Sequence, residues 1–254
     1  MSRNLQIFAG QQTGDTIKVH WRIDGSDKQR VINVNIPADI EDKPVIAELC
    51  ALNYLLRTRN IFGADKVPKN EVVSVSHGAI KRLWNQDTEK SHLIKWGRFL
   101  YPAIGDGRID VVKSHAWTRE FEVVDEVHIE AAPPDRYTVH VTSLNIDVAL
   151  TRHAVERYQE RRETATATKA MQSIRKLMGG GSLRELSMSE HRTLKKALKH
   201  GKTAKYLIHI QTGIVFVLVP EEDGWSLVTI LDDEREGGLT RPVLVGGRIE
   251  YRYD

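Results

Sequence analysis

Alternating apolar and polar residues near the amino terminus predict three short strands. Residues 5–9 form an apolar run, and residues 16–23 and 30–36 each place apolar residues at every second position. Polar turns that contain glycine or serine, at residues 11–14 and 24–26, separate the three segments. We therefore expect an antiparallel meander at the start of the fold.

The remainder of the first half switches between helical and strand patterns. Pro44 opens an apolar helix that runs to residue 56, because proline is tolerated in the first turn of a helix. Residues 71–76 and 108–113 are typical of two further strands, and residues 77–84 predict the start of a helix between them. Residues 122–132 predict a helix, and the helix ends before a proline pair.

That pair, Pro133-Pro134, marks the predicted domain boundary and gives domains at residues 1–134 and 135–254. The second domain is predicted to open with a strand or hairpin over residues 136–148, followed by helices and then by an antiparallel sheet. The predicted helices are residues 153–162, 165–178 and 187–201, and the predicted strands are residues 204–210, 214–219, 225–231, 242–245 and 248–253.

The composition is that of a folded protein without a membrane anchor. The 254 residues are 41% hydrophobic and 28% charged, and no apolar run approaches the roughly 18 residues of a membrane helix. The first residues lack the pattern of a secretion signal, so we expect a cytoplasmic protein with no membrane contact. Cys50 is the only cysteine, which excludes intramolecular disulfides and cysteine-rich zinc sites.

Positive charge is concentrated in one span of the chain. The net charge is only +3, whereas residues 152–205 hold fourteen lysines and arginines against five glutamates. Such an excess favours a polyanionic partner, and we expect RNA or an RNA–DNA hybrid. A set of solvated, lysine-rich helices is the alternative. The predicted nucleic-acid-binding residues of this span are Arg162, Arg192, Lys195, Lys196, Lys199 and Lys202.

A candidate catalytic array lies near the start of this span. On a helix, His153, Arg157 and Arg161 are four residues apart and share one face. An imidazole transfers protons near neutral pH, and guanidiniums bind phosphate through paired hydrogen bonds. This combination suits cleavage of a phosphodiester without a metal ion. The alternative is an exposed charged helix on which Glu156 and Glu160 neutralise the arginines.

The first half contains five short segments of interest: Ile7-Phe-Ala-Gly10, Ala47-Glu48-Leu49, Val75-Ser76, Val112-Lys-Ser-His115-Ala and Asp125-Glu. Together with the predicted order of three strands, helix, strand, helix, strand and helix, these segments make residues 5–132 resemble the ribonuclease H family. The resemblance implies a mixed five-stranded sheet with helices, an α+β or α/β fold, ahead of the smaller second α+β domain.

The same resemblance implies a site in which carboxylates bind two divalent metal ions. Glu48 and Asp125 match two of its ligands, whereas Gly10 and Ser76 stand where the family has aspartates. Losing two anionic ligands weakens Mg²⁺ binding, so we expect the protein to have no cofactor. Mg²⁺ is the one ion whose binding should be tested. The domain is then predicted to be a degenerate module that binds nucleic acid or a protein partner. Its predicted nucleic-acid contacts are Lys113 and His115.

The second domain resembles the toxin-type ribonucleases of the barnase/RelE-like group. The resemblance rests on Leu150-Thr-Arg-His153-Ala with Arg157 and Arg161, and on Val228-Thr229-Ile230. It implies metal-free transesterification, with His153 as general acid or base and both arginines on the phosphate. Tyr206 or Lys202 would add a proton donor or a cation, and Thr229 would orient the substrate. For Tyr206 and Thr229, an ordinary place in a strand is the favoured alternative.

Three functions therefore compete. The first is an endoribonuclease whose second domain cleaves RNA without metal while its first domain recognises the substrate. The second is a binding module or inhibitor without catalysis, and the third is a Mg²⁺-dependent nuclease of the ribonuclease H type.

Overall fold

In the computed structural model, the first three strands lie where the alternation of apolar and polar residues predicted them. The structure describes residues 3–63, 66–120, 122–188, 204–221, 224–232, 240–245 and 248–253. The chain divides into two units, Met1–Arg136 and Tyr137–Asp254. Each unit is built around one mixed sheet.

The first unit has a six-stranded sheet in the order β5-β4-β1-β2-β3-β6. The predicted meander is confirmed, because β1, β2 and β3 pair antiparallel in sequence order. On its other side β1 pairs parallel with β4, and β4 pairs parallel with β5. The strands are β1 (Asn4–Thr13), β2 (Thr16–Ile23), β3 (Gln29–Asn35), β4 (Val72–Val75), β5 (Arg108–Val111) and β6 (Val123–Glu130).

The last element of this unit corrects the sequence prediction. Residues 122–132 were expected to be helical, yet Val123–Glu130 is strand β6, parallel to β3. Val123, Val127 and Ile129 lie on the same side of an extended chain, with Asp125 between the first two, and β-branched residues favour strands. The sheet therefore has six strands instead of the five expected, and Asp125 lies on a strand.

Helix α1 (Lys43–Asn53) provides the main cover for one face of the sheet. Pro44 stands in its first turn, and a π-helical turn, Tyr54–Thr58, continues it. Ile46, Leu49 and Leu52 are fully buried against the strands, in one core with the apolar side chains of β1–β3. The remaining helices of the unit are α2 (Gly78–Asn85), the 3-10 turn Ser91–Leu93, α3 (Ile94–Gly97), α4 (Leu100–Ile104) and α5 (Trp117–Glu120).

The strands divide their side chains between two faces. Leu5, Ile7 and Ala9 of β1 point into the core beside α1, so the alternate residues of β1 point the other way. Cross-strand register places Gln6 beside Arg22 and Phe8 beside His20 on that opposite side. We call this side the second face of the sheet, defined by Gln6, Phe8, Lys18, His20 and Arg22.

The second unit holds an eight-stranded sheet in the order β13-β14-β9-β10-β11-β12-β8-β7. It is mixed, because β8 pairs parallel with β12 and β9 pairs parallel with β14. The predicted antiparallel pairing holds for β10 with β11, β11 with β12 and β13 with β14, whereas the two parallel pairs were not predicted. Its elements are β7 (Thr138–Val141), β8 (Ile146–Leu150), α6 (Arg152–Arg162), α7 (Ala167–Gly179), β9 (Leu183–Met188), β10 (Lys205–His209), β11 (Ile214–Glu221), β12 (Gly224–Asp232), β13 (Thr240–Val245) and β14 (Arg248–Tyr253).

Two further outcomes concern the helices of this unit. The Thr151 hydroxyl accepts a hydrogen bond from the Ala154 N–H at 3.2 Å, which confirms the predicted cap of α6. The predicted third helix, residues 187–201, is not supported where it is described, because Ser187 and Met188 belong to β9. Its remaining residues lie outside the described part of the chain. Among the helices that are described, none has the length and apolar character needed to cross a membrane.

The buried Cys50 thiol provides a test of the α1 packing. Burial raises its pKa to about 12, outweighing the opposing effect of a hydrogen bond with the Ala132 backbone. Because the thiolate is the reactive form, we expect the folded protein at pH 8 to react with a thiol reagent at least about a hundredfold more slowly than the denatured protein. The measurement is a time course of labelling in buffer and in guanidinium chloride. Equally rapid labelling in both would contradict the buried position of α1.

Candidate functional site

The Glu48 carboxylate is fully buried and is surrounded by backbone donors. Its Oε1 accepts from the N–H of Ala9 at 3.0 Å and of Ser76 at 3.1 Å. Its Oε2 accepts from Ser76 at 3.2 Å and from the N–H of His77 at 3.3 Å. One side chain of α1 therefore joins the helix to β1 and to the segment that follows β4. This is the pairing that a buried charge requires.

Two neighbouring side chains complete this arrangement, which we call the Glu48 site (Glu48, Ser76 and His77). The Ser76 hydroxyl donates to Oε1 of Glu48, and the Nδ1 of His77 lies 3.2 Å from Oε2. The Ser76 Oγ and the His77 Nδ1 are themselves 2.9 Å apart. The hydrogen bond and the charge of Glu48 raise the pKa of His77 above its usual value, against the opposing effect of burial, and the charge of Asp42 adds to the rise.

Gly10, where the ribonuclease H resemblance leads one to expect an aspartate, packs closely against a histidine. A Cβ built on Gly10 would lie 3.2 Å from the His20 ring and from the Lys18 carbonyl oxygen. The Nδ1 of His20 lies 3.1 Å from Oε1 of Gln29, which holds the ring in place. Burial lowers the pKa of His20, so its neutral form is favoured. A carboxylate at position 10 would require this packing to shift.

These residues do not fit a two-metal carboxylate site. Both oxygens of Glu48 accept hydrogen bonds from protein donors, and Ser76 is itself one of those donors. Asp125, the other predicted metal ligand, is ion-paired with Arg59. Within the described ranges no three His, Cys, Asp or Glu side chains are grouped so that they could hold a metal ion.

Of the predicted nucleic-acid contacts in the first unit, His115 lies against the second face. Its ring stacks on Phe8 with centroids 4.2 Å apart and planes within 9°. The Nδ1 of His115 lies 3.1 Å from the Lys113 carbonyl oxygen, within the loop after β5, and Lys113 itself is exposed. Sequence reasoning missed Phe8, because its neighbours in the apolar run, Ile7 and Ala9, are core residues.

A small cleft adjoins this stacked pair on the second face. Its volume is about 180 Å³, and Gln6, Phe8, Arg22, Ser114 and Trp117 are among its lining residues. The Nε of Arg22 donates to Oε1 of Gln6 at 2.7 Å, and its guanidinium lies over the Trp117 ring, 4.9 Å from the centroid. The cleft thus combines planar apolar surfaces with hydrogen-bonding groups, the features that nucleobases use for stacking and pairing.

In the second unit, α6 presents the predicted array on its outer side. Ala154, Val155 and Tyr158 form the buried side of the helix. His153 and Arg157 are exposed, while Arg161 is only partly exposed. An acid also accompanies the array, as the alternative predicted: the Nη1 of Arg157 lies 2.8 Å from Oε2 of Glu160.

The other predicted residues of the second unit have different places. Arg162 donates to the Thr212 carbonyl in the turn between β10 and β11, so this side chain contributes to the fold. Tyr206 is buried on β10, and burial raises its pKa. Thr229 lies partly buried on β12 opposite Val217. The predicted cations Arg192, Lys195, Lys196, Lys199 and Lys202 lie outside the described residues.

Comparisons with known proteins do not establish the family of this chain. No protein-family model matches the chain, and a search of curated proteins found no match. A search of solved structures found a similarity to the crystal structure of RNase H1 from the halophilic archaeon Halobacterium salinarum NRC-1, with 16% identity and a TM-score of 0.34. It covers 47% of this chain and 92% of that chain. The similarity is too slight to establish family membership.

The fold and the Glu48 site together characterise this protein. The chain is a mixed α+β protein with two mixed sheets. At a coarse level, the first unit is consistent with a ribonuclease H-like fold, because its first five strands and α1 occur in the expected order. Among the described residues of this unit, the conspicuous buried polar feature is the Glu48 site.

The Glu48 site predicts a large stability effect. In Glu48→Gln, an amide NH₂ replaces one acceptor oxygen and faces the N–H donors, so we expect the free energy of unfolding to fall by about 3 kcal/mol. Urea denaturation followed by circular dichroism measures this change. The matched control is Glu130→Gln, an exposed carboxylate that accepts one hydrogen bond, from Asn35 at 2.8 Å, and it should shift the midpoint very little. Equal midpoints for both variants would contradict the assigned hydrogen bonds.

Proposed function

We propose that this protein binds RNA or an RNA–DNA hybrid without a divalent metal ion. The observation that carries the proposal is the state of Glu48, whose two oxygens accept from backbone and side-chain donors. A metal ion would have to displace those donors and leave buried N–H groups unpaired, which costs about 1–3 kcal/mol for each group. Nucleic-acid binding by the first unit therefore depends on side chains.

The second face of the first unit supplies suitable side chains. Stacked Phe8 and His115 offer a planar platform, and bases stack on such aromatic groups irrespective of sequence. Arg22 lies beside the cleft, and Lys18 and Lys113 are exposed cations. Aromatic rings on a sheet surface with cations around them are a common means of binding single-stranded RNA. None of these side chains requires a metal ion in order to bind a nucleic acid.

The binding proposal predicts an affinity that falls with salt but is unaffected by EDTA. Phosphate contacts release counterions, so log K should decrease linearly with log salt concentration. Phe8→Leu retains an apolar side chain but removes the stack, and we expect roughly tenfold weaker binding. Fluorescence anisotropy with labelled RNA, DNA and hybrid in EDTA and in Mg²⁺ measures both effects.

The control for that experiment is Ile94→Ala, which removes an exposed apolar side chain from α3. It should bind as the unaltered protein does. Binding or hybrid cleavage that requires Mg²⁺, and that is lost in a folded Glu48→Gln variant, would favour the Mg²⁺-dependent nuclease instead. Absence of any nucleic-acid binding, together with capture of one specific protein, would favour the protein-binding alternative.

RNA cleavage by the second unit is the second candidate function, favoured by the exposed His153 on the same helix as Arg157 and Arg161. In this mechanism the ribose 2′-oxygen attacks phosphorus as an imidazole removes its proton. The bond to the 5′-oxygen then breaks, the leaving oxygen gains a proton, and a 2′,3′-cyclic phosphate forms. Arginines would stabilise the charge that develops on the phosphate oxygens.

The cleavage candidate predicts RNA products in EDTA that end in a 2′,3′-cyclic phosphate. We expect His153→Ala to lower the rate by about a hundredfold or more, because general acid–base catalysis contributes 10²–10⁴-fold. His140→Gln is the control, since His140 is likewise an exposed histidine of the second unit and lies 3.0 Å from Asp147, off helix α6. Gel analysis of end-labelled RNA, with a 2′-deoxy substitution as a chemical control, makes the measurement. Equal rates for His153→Ala and the unaltered protein would reject this catalytic assignment.

A further inference from the structure

We infer that the outer side of helix α7 binds the phosphate backbone of a nucleic acid. This surface, which we call the α7 face, is defined by the exposed residues Lys169, Gln172, Arg175 and Lys176. None of the four was selected from the sequence as a binding residue. The inference rests on the proposed nucleic-acid binding and deepens it by naming a contact surface in the second unit.

Packing divides α7 into a buried side and a charged side. The buried residues follow helical spacing and are Ala167, Ala170, Met171, Ile174 and Met178. On the opposite side, Lys169 and Lys176 are seven residues apart, which is two helical turns or about 10 Å along the axis. Gln172 lies between them, and Arg175 flanks this line. The two lysines and the arginine are therefore held on one rigid, exposed surface.

The positive charge of the α7 face is not neutralised within its own helix. Residues 167–179 contain three cations and no acid, and no residue three or four positions from any of the three cations is acidic. In the part of the chain that the structure describes, no carboxylate is paired with them. Helix α6 differs in this respect, because Glu156 pairs with Arg152 at 2.6 Å and Glu160 with Arg157 at 2.8 Å.

Helix stability does not account for Lys169. The Thr166 hydroxyl caps α7 by accepting from the Lys169 N–H at 3.2 Å. At this position, three residues after the cap, a helix favours glutamate or glutamine, and its positive end favours an acid over a cation. Lys176 in the last turn suits the helix dipole, but Lys169 opposes it. An anionic ligand explains why cations occupy both ends of the same face.

The composition of the α7 face favours a phosphate backbone over other anionic partners. Lysine and arginine bind phosphate oxygens, and the Gln172 amide can donate to one. Residues 167–179 include no aromatic residue on which a base could stack, so this contact should be independent of nucleotide sequence. A helix that binds a membrane surface inserts its apolar side into the lipid, whereas the apolar side of α7 is buried in the fold.

The first test removes the charge of the face from the full-length protein. Lys169→Gln, Arg175→Gln and Lys176→Gln combined should weaken RNA binding roughly tenfold in fluorescence anisotropy at low salt, and equally for RNAs of different sequence. The salt slope should fall by about two to three, because each cation contributes about one. The control combines Lys28→Gln, Lys69→Gln and Lys95→Gln, which removes the same charge from exposed sites of the first unit. It should retain the affinity and slope of the unaltered protein.

The second test places an acid in the centre of the face. In Gln172→Glu the new carboxylate stands three residues from Lys169 and from Arg175 and four before Lys176. Such pairs stabilise a helix, so the melting temperature should not fall. RNA binding should nevertheless weaken roughly threefold or more, because the new carboxylate competes with phosphate for the same cations. Unchanged RNA binding by this variant would overturn the inference.

The third test needs no variant and decides the inference should the triple variant fail to fold. RNA added to the unaltered protein should protect Lys169 and Lys176 from an amine-modifying reagent, as measured by mass spectrometry. Lys28 and Lys69, which are also exposed, should stay reactive. Equal modification of Lys169 and Lys176 with and without RNA would overturn the inference.

The outcomes separate the inference from the function that it deepens. RNA binding that survives in the triple variant but is weakened by Phe8→Leu would overturn the α7 face and leave the proposed function standing. RNA binding that is lost in the triple variant but unchanged in Phe8→Leu would retain the α7 face and reject the platform of the first unit. Absence of nucleic-acid binding would overturn both, and phosphatidylserine vesicles that bind the unaltered protein but not the triple variant would then assign the face to a membrane.

Discussion

A buried negative charge must find donors, and this requirement organises the centre of the first unit. Glu48 has no solvent exposure, and an uncompensated carboxylate in such a place would be too costly to retain in its charged form. The N–H groups of Ala9, Ser76 and His77 converge on it. Because these groups belong to β1 and to the segment after β4, the carboxylate fixes α1 against two strands that are far apart in sequence.

The same hydrogen bonds explain how a lone carboxylate can be kept in the core. Several carboxylates gathered at one place would repel one another unless cations lay between them. At positions 10 and 76 the chain has the uncharged residues Gly10 and Ser76, and His20 packs beside Gly10. Ser76 and the His77 N–H donate to Glu48. The negative charge that the surrounding donors must neutralise is therefore that of a single carboxylate.

Sequence patterns predicted the parts of this fold that are determined locally. The three-strand meander follows from alternation, and α1 follows from a proline start and a continuous apolar run. Residues 122–132 were assigned incorrectly because valines at positions 123 and 127 satisfy both helical and strand spacing. These residues form a strand because the edge of β3 offers unpaired backbone groups, with which β6 pairs in parallel.

Only part of the Glu48 site could be predicted from the sequence. Glu48 was conspicuous as a carboxylate within an apolar helix, but its donors are backbone groups, and backbone N–H groups leave no trace in residue identity. His77 gave one available signal, its position directly after a strand that was expected to end at a ligand. Phe8 gave none, because a partly buried aromatic residue on the second face is indistinguishable in sequence from a core residue such as Ile7.

Charged groups in the two units differ in how readily they can change partners. Arg157 pairs with Glu160 at an exposed helix surface, and such a pair contributes only about 0.3–0.5 kcal/mol, so a phosphate can displace the glutamate easily. Glu48 cannot exchange partners in this way, because the loss of any donor would leave a buried carboxylate with fewer hydrogen bonds. The carboxylate thus belongs to the fold, whereas the guanidiniums and imidazoles at the surface can exchange partners. The proposed binding of a polyanion therefore relies on surface cations, which can exchange partners, and not on Glu48.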